Sequence, residues 1–566
     1  MKAFGIDLGT TNSVIAHVVD GRPAALAMAG SPVVPSVVMY GDGGVVVGRE
    51  ARNLELLNPE RTLRSVKRRM GSDQVWHLPH GDVRPEEASA EILRFLRDGA
   101  ARATGADVRD VVITVPAYFD ESQRRATLEA GRLAGLNVLP LINEPTAAAM
   151  VYDHVGLDGA AEEPELVLVY DLGGGTFDVS VLEVFGEVRE VRSTTGDSHL
   201  GGDDFDAILV EVFLGALGAA RATAERDRGA MARLQRVAEE TKIRLSSELE
   251  VAVREEFLAT HEGRAVHLST TVTRREFESL LAPLLNSTLT LTQRALDDAG
   301  VSPEELSRVC LVGGSTRIPR VRELLRDALD ADIHEEVDPD LAVALGAALQ
   351  AAILTGETVG RILVDVCSHS LGVSAISASD PWDDDVFVPI IPRNTVLPAT
   401  RTKEFFTVVH HQEAVDVEVF QGEDLTASNN LLVKSFVFPL KPMPERSPVG
   451  ISFSYTLDGT VDVRVAQRGT ANAMAVSVSV ADASAPSAAV ANEVIVRQLD
   501  APASAPAPAP ARPPTAIEKK ALTLRARLVG RDAAALDALL DAYRDATGDA
   551  HESAEEALLD FLIEHD

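Results

Sequence analysis

Two short stretches carry an acid and small hydroxyl residues at the same spacing. FGIDLGTTNSV ends an apolar run at Asp7 and follows it with Gly9-Thr10-Thr11-Asn12. LVYDLGGGTFDV does the same with Asp171, 164 positions later, followed by Gly173-Gly174-Gly175-Thr176. Each reads as strand, Asp-Leu-Gly, small turn, strand. One copy alone is a tight hairpin, because Asp, Gly, Thr and Asn are ordinary turn residues. Two copies separated by a lobe's worth of chain predict two similar half-domains. Hairpins facing each other would offer backbone amides and Thr hydroxyls to phosphate oxygens, since glycine permits close approach and positive φ. Asp7 and Asp171 aimed at one point would repel unless a cation sat between them. Mg²⁺ suits such a pair, because it needs few carboxylates, keeps waters and bridges phosphates. A third Gly-rich turn, CLVGGSTRIP, lets a flat base approach Gly313 and Gly314. Neither G-x-x-x-x-G-K-[ST] nor G-x-G-x-x-G occurs, so a nucleotide site here is not a P-loop or Rossmann site.

Alternating strand and helix patterns from Met1 to about Gly356 must position these turns, and they predict an α/β fold. DVVITVPAYF, ELVLVYDLGGGTFDVSVLEV and RVCLVGGSTRIP read as strands. EEASAEILRFLRDGAARATG, ESQRRATLEAGRLAG, ARLQRVAEETKIRLSSELE and PDLAVALGAALQAAIL read as helices. In the last, Leu341, Leu345, Ala348, Leu349 and Ala352 repeat at helical spacing. Beyond Thr358 the pattern becomes short strands without helices, with an Asp458-Gly459 hairpin signal, and predicts a β-sandwich. DAPASAPAPAPARPPT reads as an extended, semi-rigid spacer. The last 51 residues read as two or three short helices, with Leu536, Leu539, Leu540 and Tyr543 on one face.

The 566 residues exceed what one core organises, so several domains are expected. Lys and Arg total 53 against 86 Asp and Glu, a net charge of −33 that disfavours nucleic acid as a partner. Cys310 and Cys367 cannot build a disulfide framework and read as small buried residues in a reducing compartment. No apolar run approaches the ~20 residues of a membrane span, and no leader pattern opens the chain. A cytoplasmic protein without a membrane partner is expected.

Taken in order, GIDLGTTNS, VKRRMG, VITVPAYFDESQRRATLEAGRLAGL, LINEPTAAAMVYD, YDLGGGTFDVSVLE, GDSHLGGDDFD, EETKIRLSS, LVGGSTRIP and DPDLAVALGAALQAAIL resemble the nucleotide-binding domain of the DnaK-type heat-shock chaperones of seventy kilodaltons. The resemblance continues to about Ala483. It implies an α/β actin-like (ribonuclease H-like) two-lobed ATPase over residues 1–357 and an interdomain linker over 358–367. A β-sandwich peptide-binding domain over 368–483, a Pro/Ala-rich spacer over 484–515 and a short helical module over 516–566 complete the expected order.

The same resemblance implies ATP, ADP and Mg²⁺ as cofactors. Thr10, Thr11, Asn12, Gly173, Gly174, Gly175 and Thr176, with Gly201 and Gly202, would hold phosphates, and Asp7 and Asp171 would organise the metal through its waters. Lys67 and Glu144 would attend the γ-phosphate and the attacking water, with Asp171 and Thr176 completing the catalytic set. Glu239, Lys242, Ser246, Gly313, Gly314, Ser315, Arg317 and Asp340 would enclose the nucleoside. Spacings of three and four put Glu239, Lys242 and Ser246 on one helix face, which a surface ion pair would satisfy equally. Pro116 and Arg124 match the family's switch proline and relay arginine, and Asp365 sits in the linker-like ILVD. Val373, Ala375, Ile376, Phe405, Val415 and Val417 align with the family's peptide groove, although alternation alone also marks sandwich core.

Three departures stand out. SHSLG replaces the usual Pro-Leu-Ser-Leu-Gly, and Asp383-Asp384-Asp385 marks an acidic loop tip. Pro140 occupies the place of an arginine that J-domain partners contact, and proline offers neither charge nor N–H. A spacer and short helical module replace the long helical lid. His410-His411 lacks a third ligand and reads as a strand end rather than a metal site. The expected function is an ATP-driven chaperone for unfolded or extended polypeptides, with a possible nucleotide exchange factor. A nucleotide-gated regulator or scaffold for one partner is the alternative, and the β-rich second half weighs against a small-molecule kinase.

Overall fold

The computed structural model describes residues 3–79, 81–152, 164–186, 188–329, 333–334, 338–357, 362–376, 385–456 and 460–478, together with Leu536 and Leu539. Met1–Leu499 and Asp500–Asp566 are separate units. Of the second, the two described leucines are helical and Leu536 is buried. The Pro-Ala spacer, the Asp458-Gly459 turn and most of the Asp383–Asp385 tip lie outside the described residues.

The predicted repeat is present as two sheets of one topology. In the first, strand Phe4–Leu8 pairs parallel with Asp110–Val115 and antiparallel with Asn12–Val19. In the second, Glu165–Leu172 pairs parallel with Arg308–Val312 and antiparallel with Phe177–Phe185. Register matches as well: Asp7 faces Val14 across its hairpin, and Asp171 faces Asp178. Both acids therefore sit one residue before the last ladder pair, at the lip of a four-residue turn.

Apolar runs such as ELVLVYDL lack alternation because both faces of their sheets are covered. Phe4, Ile6, Ile15 and Ile92 pack beneath the first sheet, and Tyr170, Phe177, Phe205, Phe213 and Phe277 beneath the second. Helix Ala342–Leu354 is apolar except for Gln350, as suits a helix packed on most sides. Its core cluster draws Val112 from the first sheet and Val167 and Val169 from the second, so this helix joins the lobes. Helix Glu121–Leu133 begins with a capping box, in which Asp120 accepts from the Gln123 N–H at 2.9 Å and the Gln123 side chain returns the bond.

The sandwich consists of two four-stranded sheets. One orders Val386–Ile391, Leu371–Ala375, Ala414–Gln421 and Leu431–Pro439; the other orders Ala399–Phe406, Pro448–Tyr455, Val461–Gln467 and Ala473–Val478. Inward Val463 and Val465 alternate with exposed Asp462 and Arg464, the period-two pattern of a half-buried strand. Between the two bodies, strand Ile362–Val364 pairs parallel with Val188–Glu190 and adds a sixth strand to the second lobe's sheet.

Candidate active site

The two Asp-bearing hairpins meet at one cavity of about 320 Å³. Asp7, Thr10, Thr11 and Asn12 line it from the first hairpin, and Asp171, Gly173, Gly174 and Thr176 from the second. The turns interlock tightly. A Cβ on Gly174 would lie 1.9 Å from the Thr11 hydroxyl oxygen, so a larger residue there would push Thr11 aside. Gly313 is at φ +81° and a Cβ would meet the Leu172 carbonyl oxygen at 2.4 Å, so glycine is required on both counts.

Lys67 and Glu144 also reach the cavity. Lys67 belongs to the single-turn helix Val66–Arg69, Glu144 opens helix Glu144–Tyr152, and the two are buried and ion-paired. Glu239, Lys242 and Ser246 approach from one face of helix Arg228–Leu245 and its C-cap. Lys242 donates to the Gly202 carbonyl and to Asp206, both at 2.9 Å. Gly314, Ser315, Arg317 and Asp340 close the far wall, where Arg317 pairs with Asp338 at 2.7 Å and Asp340 at 2.8 Å. Gly175, Gly201 and Gly202 stand behind the lining: the first packs on Thr10, the second on the Gly174–Gly175 backbone, the third on Ser315 and Lys242.

The electrostatics are those of a site short of positive charge. Burial, then the neighbouring Glu144, raises Asp7 to about 7. Asp171 is held well above the ordinary carboxylate range by burial, with Glu144, Asp178 and Asp7 adding to it. Burial, again followed by Glu144, lifts Asp178 to about 8. Lys67 opposes all three shifts. Asp7 and Asp171 thus make a crowded acid pair open to a cavity, a donor set that suits a hard divalent cation retaining several waters. Among the described residues no group of three or more His, Cys, Asp or Glu forms a protein-only metal cage.

Asp178 was not singled out from the sequence. Its signal was there, since it lies seven residues beyond Asp171 and pairs with it across the hairpin. Its carboxylate accepts from the Tyr118 N–H at 3.0 Å. Also unanticipated is an ion network at the cleft edge, in which Arg52 at 2.9 Å and Arg64 at 2.8 Å both grip Glu239. Burial alone would raise Glu239, but the two guanidinium groups outweigh it and hold the acid below its usual range.

A second set of residues connects this site to the sandwich. Asp365 is half-buried and accepts from Asn143 at 3.1 Å and Thr146 at 3.4 Å. Asn143 in turn accepts from Arg124. Pro116 is buried where strand Asp110–Val115 ends and the turn into helix Glu121–Leu133 begins. From the sandwich, Gln421 accepts from the Glu121 N–H at 2.8 Å, Arg393 pairs with Asp298 at 2.7 Å, and His369 bonds the Tyr118 carbonyl at 3.0 Å. Of the expected groove residues, Val373 and Val417 are 1% exposed within the sandwich core and show no surface to a ligand. Ala375, Phe405 and Val415 are half-buried, and Ile376 is exposed.

A family model described as Hsp70 protein matches residues 3–504. The chain belongs to the Hsp70 family. Chaperone protein DnaK of Thermotoga petrophila and that of Thermotoga maritima are each 43% identical over 477 residues, covering 82% of this chain and 78% of theirs. In this Hsp70-family chain the two repeated sheets and joining helix are the lobes of an actin-like ATPase, followed by the family's β-sandwich. The protein is an ATPase and an ATP-dependent chaperone, as the motif order anticipates. No single described helix is long and apolar enough to cross a membrane.

Proposed function

We propose that the interlobe cavity is where ATP is bound and hydrolysed, and that hydrolysis switches the sandwich's affinity for extended apolar peptide segments. The observation that carries this reading is the convergence of two matched Asp hairpins, one from each lobe, on a single cavity. Thr10, Thr11, Asn12 and the Gly173–Thr176 turn present amides and hydroxyls suited to the phosphates. Glu239, Lys242, Ser246, Gly313, Gly314, Ser315, Arg317 and Asp340 frame the nucleoside. Asp7 and Asp171 would hold Mg²⁺ through its waters, and the ion would neutralise phosphate charge. Lys67 and Glu144 position the attacking water, and Thr176 braces the γ-phosphate. Such a site lowers the barrier chiefly by positioning and charge neutralisation.

The domains divide at 1–357, 358–367, 368–483, 484–515 and 516–566 on this reading. Asp365, Arg124 and Pro116 relay between linker and site. Ala375, Ile376, Phe405 and Val415 meet the peptide, with Val373 and Val417 beneath them. A cytoplasmic location fits, as does a nucleotide exchange factor. Pro140 argues against stimulation by an ordinary J-domain partner. The deciding experiment measures affinity for a Leu-centred extended peptide in ATP and in ADP, with and without residues 501–566. Tighter binding in ADP supports the reading, whereas equal affinity in both nucleotides overturns it.

A further inference from the structure

His369 lies in SHSLG, the stretch where this chain parts from its family's Pro-Leu-Ser-Leu-Gly. The ring is buried, and its Nε2 is 3.0 Å from the Tyr118 carbonyl oxygen. A carbonyl only accepts, so Nε2 carries the proton. The imidazole also packs on the Tyr118 ring, with centroids 4.2 Å apart. Ser370, the next residue, is anchored through its N–H to Glu423 at 2.7 Å, so the sandwich end of the contact is itself held in place.

Tyr118 uses the other side of its backbone differently. Its N–H donates at 3.0 Å to the Asp178 carboxylate, which is buried behind the cavity lining and adds to the charge crowding Asp171, its partner across the hairpin. One residue thus receives a bond from the sandwich at its carbonyl and gives one to the acid cluster at its amide. Little slack exists around it: a Cβ on Gly196 would lie 2.7 Å from Asp178 and 3.2 Å from Tyr118. Gly196 belongs to strand Val188–Asp197, which carries strand Ile362–Val364 at its edge and whose Thr194 N–H donates to the Asn394 side-chain oxygen of the sandwich at 3.1 Å. A shift of the sandwich relative to the lobe cannot leave Tyr118 where it is without breaking the His369 bond.

We propose that His369 is a positioning residue through which the seating of the sandwich sets the orientation of Asp178, by way of the Tyr118 backbone. This rests on the assignment of the cavity to ATP hydrolysis. The imidazole reaches no reacting atom; it acts on a peptide unit that acts on the acid. A leucine at this position would fill the space but supply no donor.

The test compares steady-state ATP hydrolysis of full-length wild type, His369→Leu and His369→Gln, each with and without a saturating Leu-centred peptide. In wild type the peptide changes kcat. In His369→Leu that response falls at least threefold toward none, with KM for ATP and the melting temperature unchanged. His369→Gln, whose side-chain amide supplies a donor, recovers at least half of the wild-type response. A responsive wild type with an equally responsive His369→Leu overturns this inference alone, as does a His369→Gln no better than His369→Leu. A wild type that hydrolyses ATP without any response to peptide overturns both the inference and the functional reading beneath it.

Discussion

Replacing Asp178 with asparagine probes the acid cluster most directly. Asn keeps an oxygen that can accept the Tyr118 N–H, 3.0 Å away in the wild type, and removes the charge. Folding carries this carboxyl from an ordinary 3.8 to about 8, chiefly through burial and then through Glu144. A carboxyl whose folded value is raised favours the fold fully below its unfolded value, and that contribution is lost as pH climbs to the folded one. At pH 7 the wild type has crossed three of those units, so its relative loss is about 4 kcal/mol. Above pH 8 it approaches about 6 kcal/mol, and near pH 4 it vanishes. The nucleotide-free Asp178→Asn variant should therefore be more stable than wild type at pH 7 to 8 and equal to it at pH 4. Urea midpoints across that range, without magnesium or nucleotide, measure the gap. Adding Mg²⁺ and ADP should shrink it, since a cation near the cluster relieves the same charge. A gap that stays flat from pH 4 to 8 would refute the crowded-acid account.

Other outcomes follow from the same geometry. Thr176→Ala should slow hydrolysis while leaving nucleotide bound, measured by single turnover beside equilibrium binding; equal turnover counts against the phosphate assignment. Arg393→Glu sets like charges at the Asp298 contact and should weaken sandwich docking by roughly 2–5 kcal/mol, with Asp298→Arg restoring it in the double variant. Proteolytic accessibility of the linker reads that change. Phe453→Ala, at a fully buried core position, should cost the sandwich about 3–5 kcal/mol in chemical denaturation and leave nucleotide binding intact.

Much of the ATPase was legible because its signals are local. Asp7 and Asp171 end apolar runs, and the shared Asp-Leu-Gly step fixes the same register in each hairpin, so the chemistry repeats with the fold. The apolar face of Pro85–Thr104 announces a helix by period, and Ala342–Leu354 by an Ala- and Leu-rich run. What stayed hidden depends on chain segments far apart in sequence. His369 meets Tyr118 across 251 positions and Gln421 meets Glu121 across 300, and no periodicity carries such pairings. Arg52 and Arg64 carried no signal of their own, and only the fold brings them onto Glu239. In the sandwich, alternation marked Val373 and Val417 together with Phe405 and Val415. It separates inward from outward residues but cannot tell a groove floor from a core.

Strand Ile362–Val364 is three residues long and occupies the rim of the second lobe's sheet. Without it, Val188–Glu190 would lack these backbone partners and leave a β rim open to whatever strand comes near. Brevity limits that hazard, since so short a rim holds a foreign chain weakly. It also means that few backbone bonds hold this strand to the rim, so its loss would uncover only a short stretch of edge.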